Sequence, residues 1–351
     1  MNVNSIVPRV RVVLLGLLAA LAVSGCYYFQ TVEGQIAVLL KREPIARVIA
    51  QPSTRPALRA QLQQVTAIRD FASRVLALPD NGSYRSYADV GRRYVVWNVF
   101  AAPEFSVQPK QWCYPIAGCV AYRGYFKQHA AESYAAHLRT DGMDVDVGGV
   151  AAYSTLGHFD DPILNTMLGW NDTELAAIIF HELTHQLIYV PDDSSFNEAL
   201  ATMVEEEGVR RWLTQRGRAK DLARYELERR RVLQVVDLLN ATREELRALY
   251  ASGAPAALMR KEKQEKFAAL RAAFAGLEAG WGGDGPFDAW FHDELNNASL
   301  VSIATYYRCV PGFQRELAQA GGDLPAFYRR ARELAKLKKA QREALLCGAG
   351  S

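Results

Sequence analysis

Apolar residues recur at helical spacing through the first part of the chain: Ile36, Leu39 and Leu40, then Leu58, Leu62 and Val65, then Ile68, Phe71, Val75 and Leu76. Positions three and four apart share one helix face, so residues 27–80 are predicted to be largely helical with these stripes turned to a core. The pattern then changes. Residues 94–105 (YVVWNVFAAPEF) are rich in β-branched and aromatic residues, and 143–157 (MDVDVGGVAAYSTLG) alternate Met143, Val145 and Val147 before two glycines, so both read as strands. Between them, CVAYRGYF (119–126) reads as a turn leading into a helix that holds Glu132 and His137.

Asn171-Asp172-Thr173-Glu174 places a capping residue three positions before a glutamate, and an apolar run continues to His181, so a helix starts here. Pro191-Asp192-Asp193 ends it, and a second helix follows through Trp212. Residues 217–279 are dense in Arg, Lys, Glu, Leu and Ala, broken at SGAPA (252–256), with a stripe of Phe267, Leu270, Phe274 and Leu277. That pattern predicts a long antiparallel helical hairpin whose charges form a solvated face or a surface for a protein partner. A loop (280–286) and a helical C-terminal part complete the chain.

These elements predict an α+β fold, mainly helical. Two consecutive helices over 171–212 pack beside a small edge-stranded sheet, with the hairpin as an insertion. The expected divisions are a leader (1–25), a mostly helical N-terminal region (26–142), a central region (143–215), the hairpin (216–280) and a C-terminal helical region (281–351).

The first residues change the picture of location. Arg9 and Arg11 precede an apolar run from Val12 to Val23 that is too short to cross a bilayer, as in a secretory signal. Val23-Ser24-Gly25-Cys26 resembles a bacterial lipobox, which makes Cys26 the lipid-carrying residue; a plain signal peptide is the alternative. Tyr27 follows, with no aspartate to suggest inner-membrane retention, so the expected location is the periplasmic face of the outer membrane, reached through a lipid anchor. Removing two arginines from the 41 basic residues leaves 39 against 38 acidic ones, and nothing in that balance argues for nucleic acid. Cys113, Cys119, Cys309 and Cys347 would then meet an oxidising compartment, where an even count reads as two disulfides. Cys113 with Cys119 is favoured, because a Pro and a Gly between them turn the chain back; a metal site is the alternative.

The chemistry concentrates in FHELTHQLIYVPDDSSFNEALA (180–201). His181 and His185, four apart, project from one helix face, as a zinc ion requires of two ligands. Glu182 stands where the peptidase mechanism places a general base that takes a proton from the attacking water. The neighbours Ile178, Ile179, Phe180, Leu183, Leu187 and Ile188 are apolar, and unpaired polar groups would be costly among them. For the third ligand, a rise of 1.5 Å per residue along two antiparallel helices brings Glu198 level with His185 and carries Glu205 past both histidines. Ser195-Phe196-Asn197-Glu198 also fits a capping box, in which Glu198 would only cap its helix. Glu205, one heptad on, is either a carboxylate orienting a ligand histidine or a solvated charge.

HELTHQ and FNEALA, together with CVAYRGYF, AYSTLGHFDDPILNTML and NNASLVSIATYYRCVPGF, resemble the bacterial family of predicted zinc aminopeptidases that begin with a lipobox. The resemblance covers most of the chain after the leader. It implies a zinc-peptidase-like catalytic core over 143–215, with an active-site helix, a second ligand helix and a small edge-stranded sheet, completed by the C-terminal region, and it implies one zinc held by His181, His185 and Glu198, Glu182 as base, and a peptide substrate. No GxMEN-type segment for gripping a free amino terminus is present, so cleavage at chain ends or within chains stays open. In peptidases of this kind the substrate lies along an edge strand beside the zinc helix; VAAYSTLG is the candidate, with Tyr153, Ser154 and Thr155 as contacts. A tyrosine usually stabilises the oxyanion opposite the zinc. Tyr306 or Tyr307 would stand in the family position, either one otherwise a packed core aromatic, and Asn296 and Asn297 either bond substrate or cap a helix. Two other functions compete: a non-catalytic envelope lipoprotein stapled by zinc and binding a partner, and a zinc amidase acting on cell-wall peptides. A structural zinc is usually closed by four protein ligands, whereas three ligands and a free Glu182 favour catalysis.

Overall fold

A computed structural model describes residues 27, 30–114, 118–283, 285–300, 307 and 309–348. In chain order its helices are α1 (residues 30–40), α2 (Ile45–Ala50), α3 (Pro56–Arg74), α4 (Gln128–Thr140), α5 (Asp172–Leu187) and α6 (Ser194–Gln215). They continue with α7 (Ala219–Ala251), α8 (Ala256–Trp281), α9 (Asp288–His292), α10 (Val310–Gln319), α11 (Leu324–Ala335) and α12 (Lys339–Leu346). The strands are β1 (Glu43–Pro44), β2 (Ser86–Ala88), β3 (Val96–Pro103), β4 (Trp112–Tyr114), β5 (Gly118–Val120), β6 (Tyr122–Tyr125), β7 (Met143–Val150) and β8 (Ile163–Leu164). The fold is thus mainly helical with little sheet. The stretch 26–142, expected to be mostly helical, carries β2 to β6 between α3 and α4. No helix among the described residues is long and apolar enough to cross a membrane.

The largest core joins α3, α5 and α6 to the C-terminal helices. Phe180 of α5 is fully buried against Phe71 of α3 (ring centroids 5.8 Å), which meets Trp212 of α6 edge-on at 5.0 Å. α6 passes so close that a Cβ on Gly208 would stand 2.6 Å from Phe180, so only glycine fits this crossing. The start of α5 is a capping box: the Asn171 side chain accepts from Thr173 N and Glu174 N, and Glu174 accepts from Asn171 N at 2.8 Å.

The main sheet has the order β6-β3-β7, all antiparallel, with Val96 opposite Val150 and Tyr122 opposite Phe100. Alternation divides its faces. Val99, Ala101, Tyr125 and Val145 pack under α4, while Val96 joins the core that contains α5. Residues 122–125, read from sequence as a turn into a helix, are an edge strand, and the helix begins only at Gln128. β7 ends at Val150, so Tyr153, Ser154 and Thr155 leave the sheet for a coil: beyond Val96 its partner strand no longer runs alongside. Ile36 and Leu40 are 49% and 81% exposed and do not form a core stripe; Gln35 and Val38 take the inner face of α1.

The hairpin of α7 and α8 builds its own core around Val235, Leu239, Leu246, Phe267, Leu270 and Phe274, closed by Phe291 stacked on Phe274. It is docked rather than free-standing. Lys263 Nζ lies 2.6 Å from Asp144 and donates to the Glu104 carbonyl, and Arg260 pairs with Glu104. Asn297, fully buried, receives the Tyr250 hydroxyl and donates to the Pro103 and Glu104 carbonyls, while Asp144 accepts from its backbone N–H. Asn296 caps the turn ahead of it, accepting from Ala298 N and Ser299 N. Both asparagines therefore hold structure. Asn297→Ala strands several buried hydrogen-bonding groups and is expected to lower unfolding stability by about 3 kcal/mol, measured by urea denaturation; a loss well under 1 kcal/mol contradicts this anchoring role.

Candidate metal centre and cleft

His181 and His185 are buried on α5, one turn apart, with ring centroids 4.8 Å from each other. Their Nε2 atoms lie 3.2 and 3.6 Å from Glu198 Oε2 on α6. One donor atom from each of the three residues falls within 4.8 Å of the others, a convergence compatible with a metal ion. Glu198 is not used as a cap: Asp193 precedes α6 and accepts from Phe196 N at 3.2 Å. Glu205 takes the other nitrogen, with Oε2 3.0 Å from His181 Nδ1. That contact leaves Nε2 of His181 to face Glu198 and His185. Within the cluster, His185 Nδ1 is buried with no hydrogen-bond partner among the described residues.

Electrostatics follows from packing. Burial pulls the His181 imidazole down, but its hydrogen bonds to Glu198 and Glu205 outweigh that and leave it well above its ordinary value. Burial pushes Glu198 up, yet His185 and His181 hold it far below the usual carboxylate range. The residues of the turn joining the two helices are fixed in place. Asn197, 2% exposed, exchanges two 2.8 Å hydrogen bonds with the backbone of Val190. Asp193 forms a buried ion pair with Arg342 of α12 at 2.7 Å. Asp192, at φ 64°, accepts from Cys119 N at 2.7 Å.

Glu182 is half-buried on α5 between the two histidines, and the coil 153–161 meets α5 through Gly157 against Gln186 and Asp161 in the field of Glu182. Asp161, 1% exposed, accepts from Thr155 N at 2.8 Å and from Thr155 Oγ1 at 2.9 Å, which folds the segment back on itself. Burial, opposed by those bonds and reinforced by the charge of Glu182, pushes Asp161 up to about 6. Gly157 abuts Gln186, the residue after His185, and Gln186 accepts from Asn81 Nδ2 at 2.8 Å. The Asn81 loop is held in turn by Arg69, a fully buried guanidinium that donates to the carbonyls of Ser83, Pro79 and Asn81.

Residues 26–346 match the family model described as "Putative aminopeptidase". The chain belongs to this family. No curated protein and no solved structure matches the chain. Membership in an aminopeptidase family makes this a peptidase at the coarse level, and it directs attention to the α5–α6 cluster over the cavities elsewhere. One of these, of about 320 Å³, lies between α6 and α7 beside Glu206, Tyr225 and Arg229, away from the three converging donors.

The remaining candidates fall in several places. Tyr153 packs edge-on against Phe126 at 5.5 Å, while Ser154 and Thr155 face Asp161. Tyr307 accepts from Arg229, which is paired with Glu206. Tyr306 and Cys26 lie outside the described residues. Disulfides join Cys113 to Cys119 and Cys309 to Cys347. Arg69, Asp161 and Asn197 were not singled out from sequence; an arginine within an apolar stripe, as Arg69 is beside Ile68 and Phe71, is the one signal that was available.

The metal-free site carries a pH signature. The raised His181 contributes stability that is complete below its ordinary 6.5 and is lost as pH rises through its folded value. The lowered Glu198 contributes stability that is complete above 4.5 and is lost as pH falls through its folded value. Chelator-treated protein is therefore expected to gain most from this pair between those two pH values. Stabilisation by added divalent metal should grow as pH rises from about 5.5 to about 8, because protons compete for the imidazoles. Melting curves with and without metal across that range check both trends.

Proposed function

We propose that the protein is a zinc-dependent peptidase, an aminopeptidase by its family, acting on peptides in the periplasm from a lipid anchor at Cys26. The observation that carries this reading is the convergence of His181, His185 and Glu198 with Glu182 one residue from the first ligand on the same helix. Two imidazoles and one carboxylate are a donor set that suits zinc, and three protein ligands leave room for reactants, as catalytic sites do. The location is supported by the leader sequence, the lipobox-like Val23-Ser24-Gly25-Cys26 and the two disulfides.

Zinc, when bound, supplies a Lewis acid that polarises the peptide carbonyl and makes water a better nucleophile. His181, His185 and Glu198 would hold it, and Glu205 keeps the His181 ring oriented through Nδ1. Glu182 accepts the proton of the attacking water and returns it to the departing amine nitrogen. The coil 153–157, braced by Asp161, gives the substrate a fixed wall beside Glu182.

Glu182→Gln is expected to keep one zinc per chain while losing roughly 10²–10⁴-fold in kcat on a mixed peptide library read by mass spectrometry. Parent protein that binds zinc yet trims no peptide sinks the peptidase reading, and the cleavage positions it does produce separate trimming of ends from internal cuts. Glu205→Ala is expected to weaken zinc affinity about 10–100-fold with the fold intact, followed by competition with a metal indicator; unchanged affinity removes Glu205 from the site.

A further inference from the structure

Peptide hydrolysis needs a donor for the oxyanion that forms on the scissile carbonyl, and the downstream tyrosine that the structure describes, Tyr307, sits against the Arg229–Glu206 ion pair, its hydroxyl oxygen accepting from Arg229. The sheet offers another. Tyr122 begins the edge strand β6, directly opposite Phe100 in register, with ring centroids 5.8 Å apart. Directly paired residues point to the same side of a sheet, and the alternation of β3 sets Phe100 with Asn98 and Val96, away from α4 and toward the core of α5. Tyr122 therefore lies on the face of the sheet turned toward the core of α5.

Its strand is firmly placed. The next residue, Arg123, lies over the rings of Tyr27 and Tyr134 at 3.9 and 4.7 Å, and Tyr125 is buried under α4. Just upstream, Cys119 N is bonded to Asp192 in the turn that joins the two ligand-bearing helices, and the Cys113–Cys119 bond closes that loop. The hydroxyl of Tyr122 lies in the field of both Glu198 and Glu182, and a phenol is a neutral hydrogen-bond donor at physiological pH. Tyr122 is nonetheless 39% exposed, and a Cβ on Gly148 of the same sheet would meet nothing within 4 Å, so this face is open to a ligand.

We propose that Tyr122 is a catalytic residue, whose phenolic O–H donates a hydrogen bond to the oxygen of the scissile carbonyl as that oxygen gains charge. This rests on the peptidase reading above. The oxygen of water bonds to the carbonyl carbon, Glu182 carries the proton from that water to the amide nitrogen, and the C–N bond breaks; Tyr122 keeps its own proton throughout. A preorganised donor of this kind is stronger in the transition state than in the bound substrate, so its loss lowers kcat more than it raises KM.

The test compares the zinc-loaded parent with Tyr122→Phe, Tyr306→Phe and Glu182→Gln on one peptide substrate, together with inhibition by a phosphinic pseudopeptide whose tetrahedral oxygens mimic the oxyanion. Tyr122→Phe keeps the ring against Phe100, and zinc content and melting temperature confirm that the fold is retained. The expected result is a fall in kcat of about 10²–10³-fold with KM within about threefold, and weaker phosphinate binding. Parental kcat and phosphinate affinity in Tyr122→Phe, or a loss of kcat confined to Tyr306→Phe, overturns the assignment while the peptidase reading stands. A parent that binds zinc but cleaves nothing, like Glu182→Gln, overturns both.

Discussion

Two histidines sit inside an apolar helix interface, and the two carboxylates that meet three of their four ring nitrogens organise the molecule. α5 and α6 cross closely at Gly208 and Phe180, which brings two carboxylates one heptad apart on α6 to opposite nitrogens of a single imidazole. Glu198 takes Nε2 and Glu205 takes Nδ1. Neither carboxylate would be tolerated this deep without the histidines, nor the histidines without them. The apolar residues around them, Ile179, Phe180 and Leu183, make every one of these interactions stronger by excluding water.

The surroundings extend this logic outward from distant parts of the sequence. Arg69 on α3 shapes the 79–83 loop, whose Asn81 holds Gln186 beside the second histidine. Asp161 folds the coil after β7 against the glutamate-bearing face of α5. Asp192 and Asp193, adjacent in one turn, reach in different directions: one to the disulfide-closed loop at Cys119, the other to Arg342 near the last helix. The six-residue turn between α5 and α6 is in this way fixed from two sides by side chains that lie outside the cluster of His181, His185 and Glu198.

What the sequence revealed was local or periodic. The Asn171–Glu174 cap, the four-residue spacing of the histidines and the hairpin stripe at Phe267, Leu270 and Phe274 all belong to single helices, and the axial arithmetic that chose Glu198 needed only two helices and a short turn. The competing capping box failed because Asp193, two residues earlier, accepts from Phe196 N. What stayed hidden depends on partners far along the chain. Tyr122 lies in a strand because β3 offers it an edge, and no property of AYRGY alone distinguishes that from a turn. Ile36 and Leu40 have the spacing of a core face, yet the contact of Gly34 with Phe126 rotates α1 so that they point outward. The end of β7 at Val150 is likewise set by where Val96 starts.

The buried pair of Asp193 and Arg342 has a consequence for the order in which the site can mature. Its members are 149 positions apart, so in a chain made from its amino end α5 and α6 are complete long before the arginine that neutralises the cap of the second one. Until α12 arrives, Asp193 is a lone carboxylate facing the core, and the turn between the ligand helices lacks one of its two braces. The cluster of His181, His185 and Glu198 therefore has its full bracing only in the finished chain, when the last helix has docked and the Cys309–Cys347 link can hold it there.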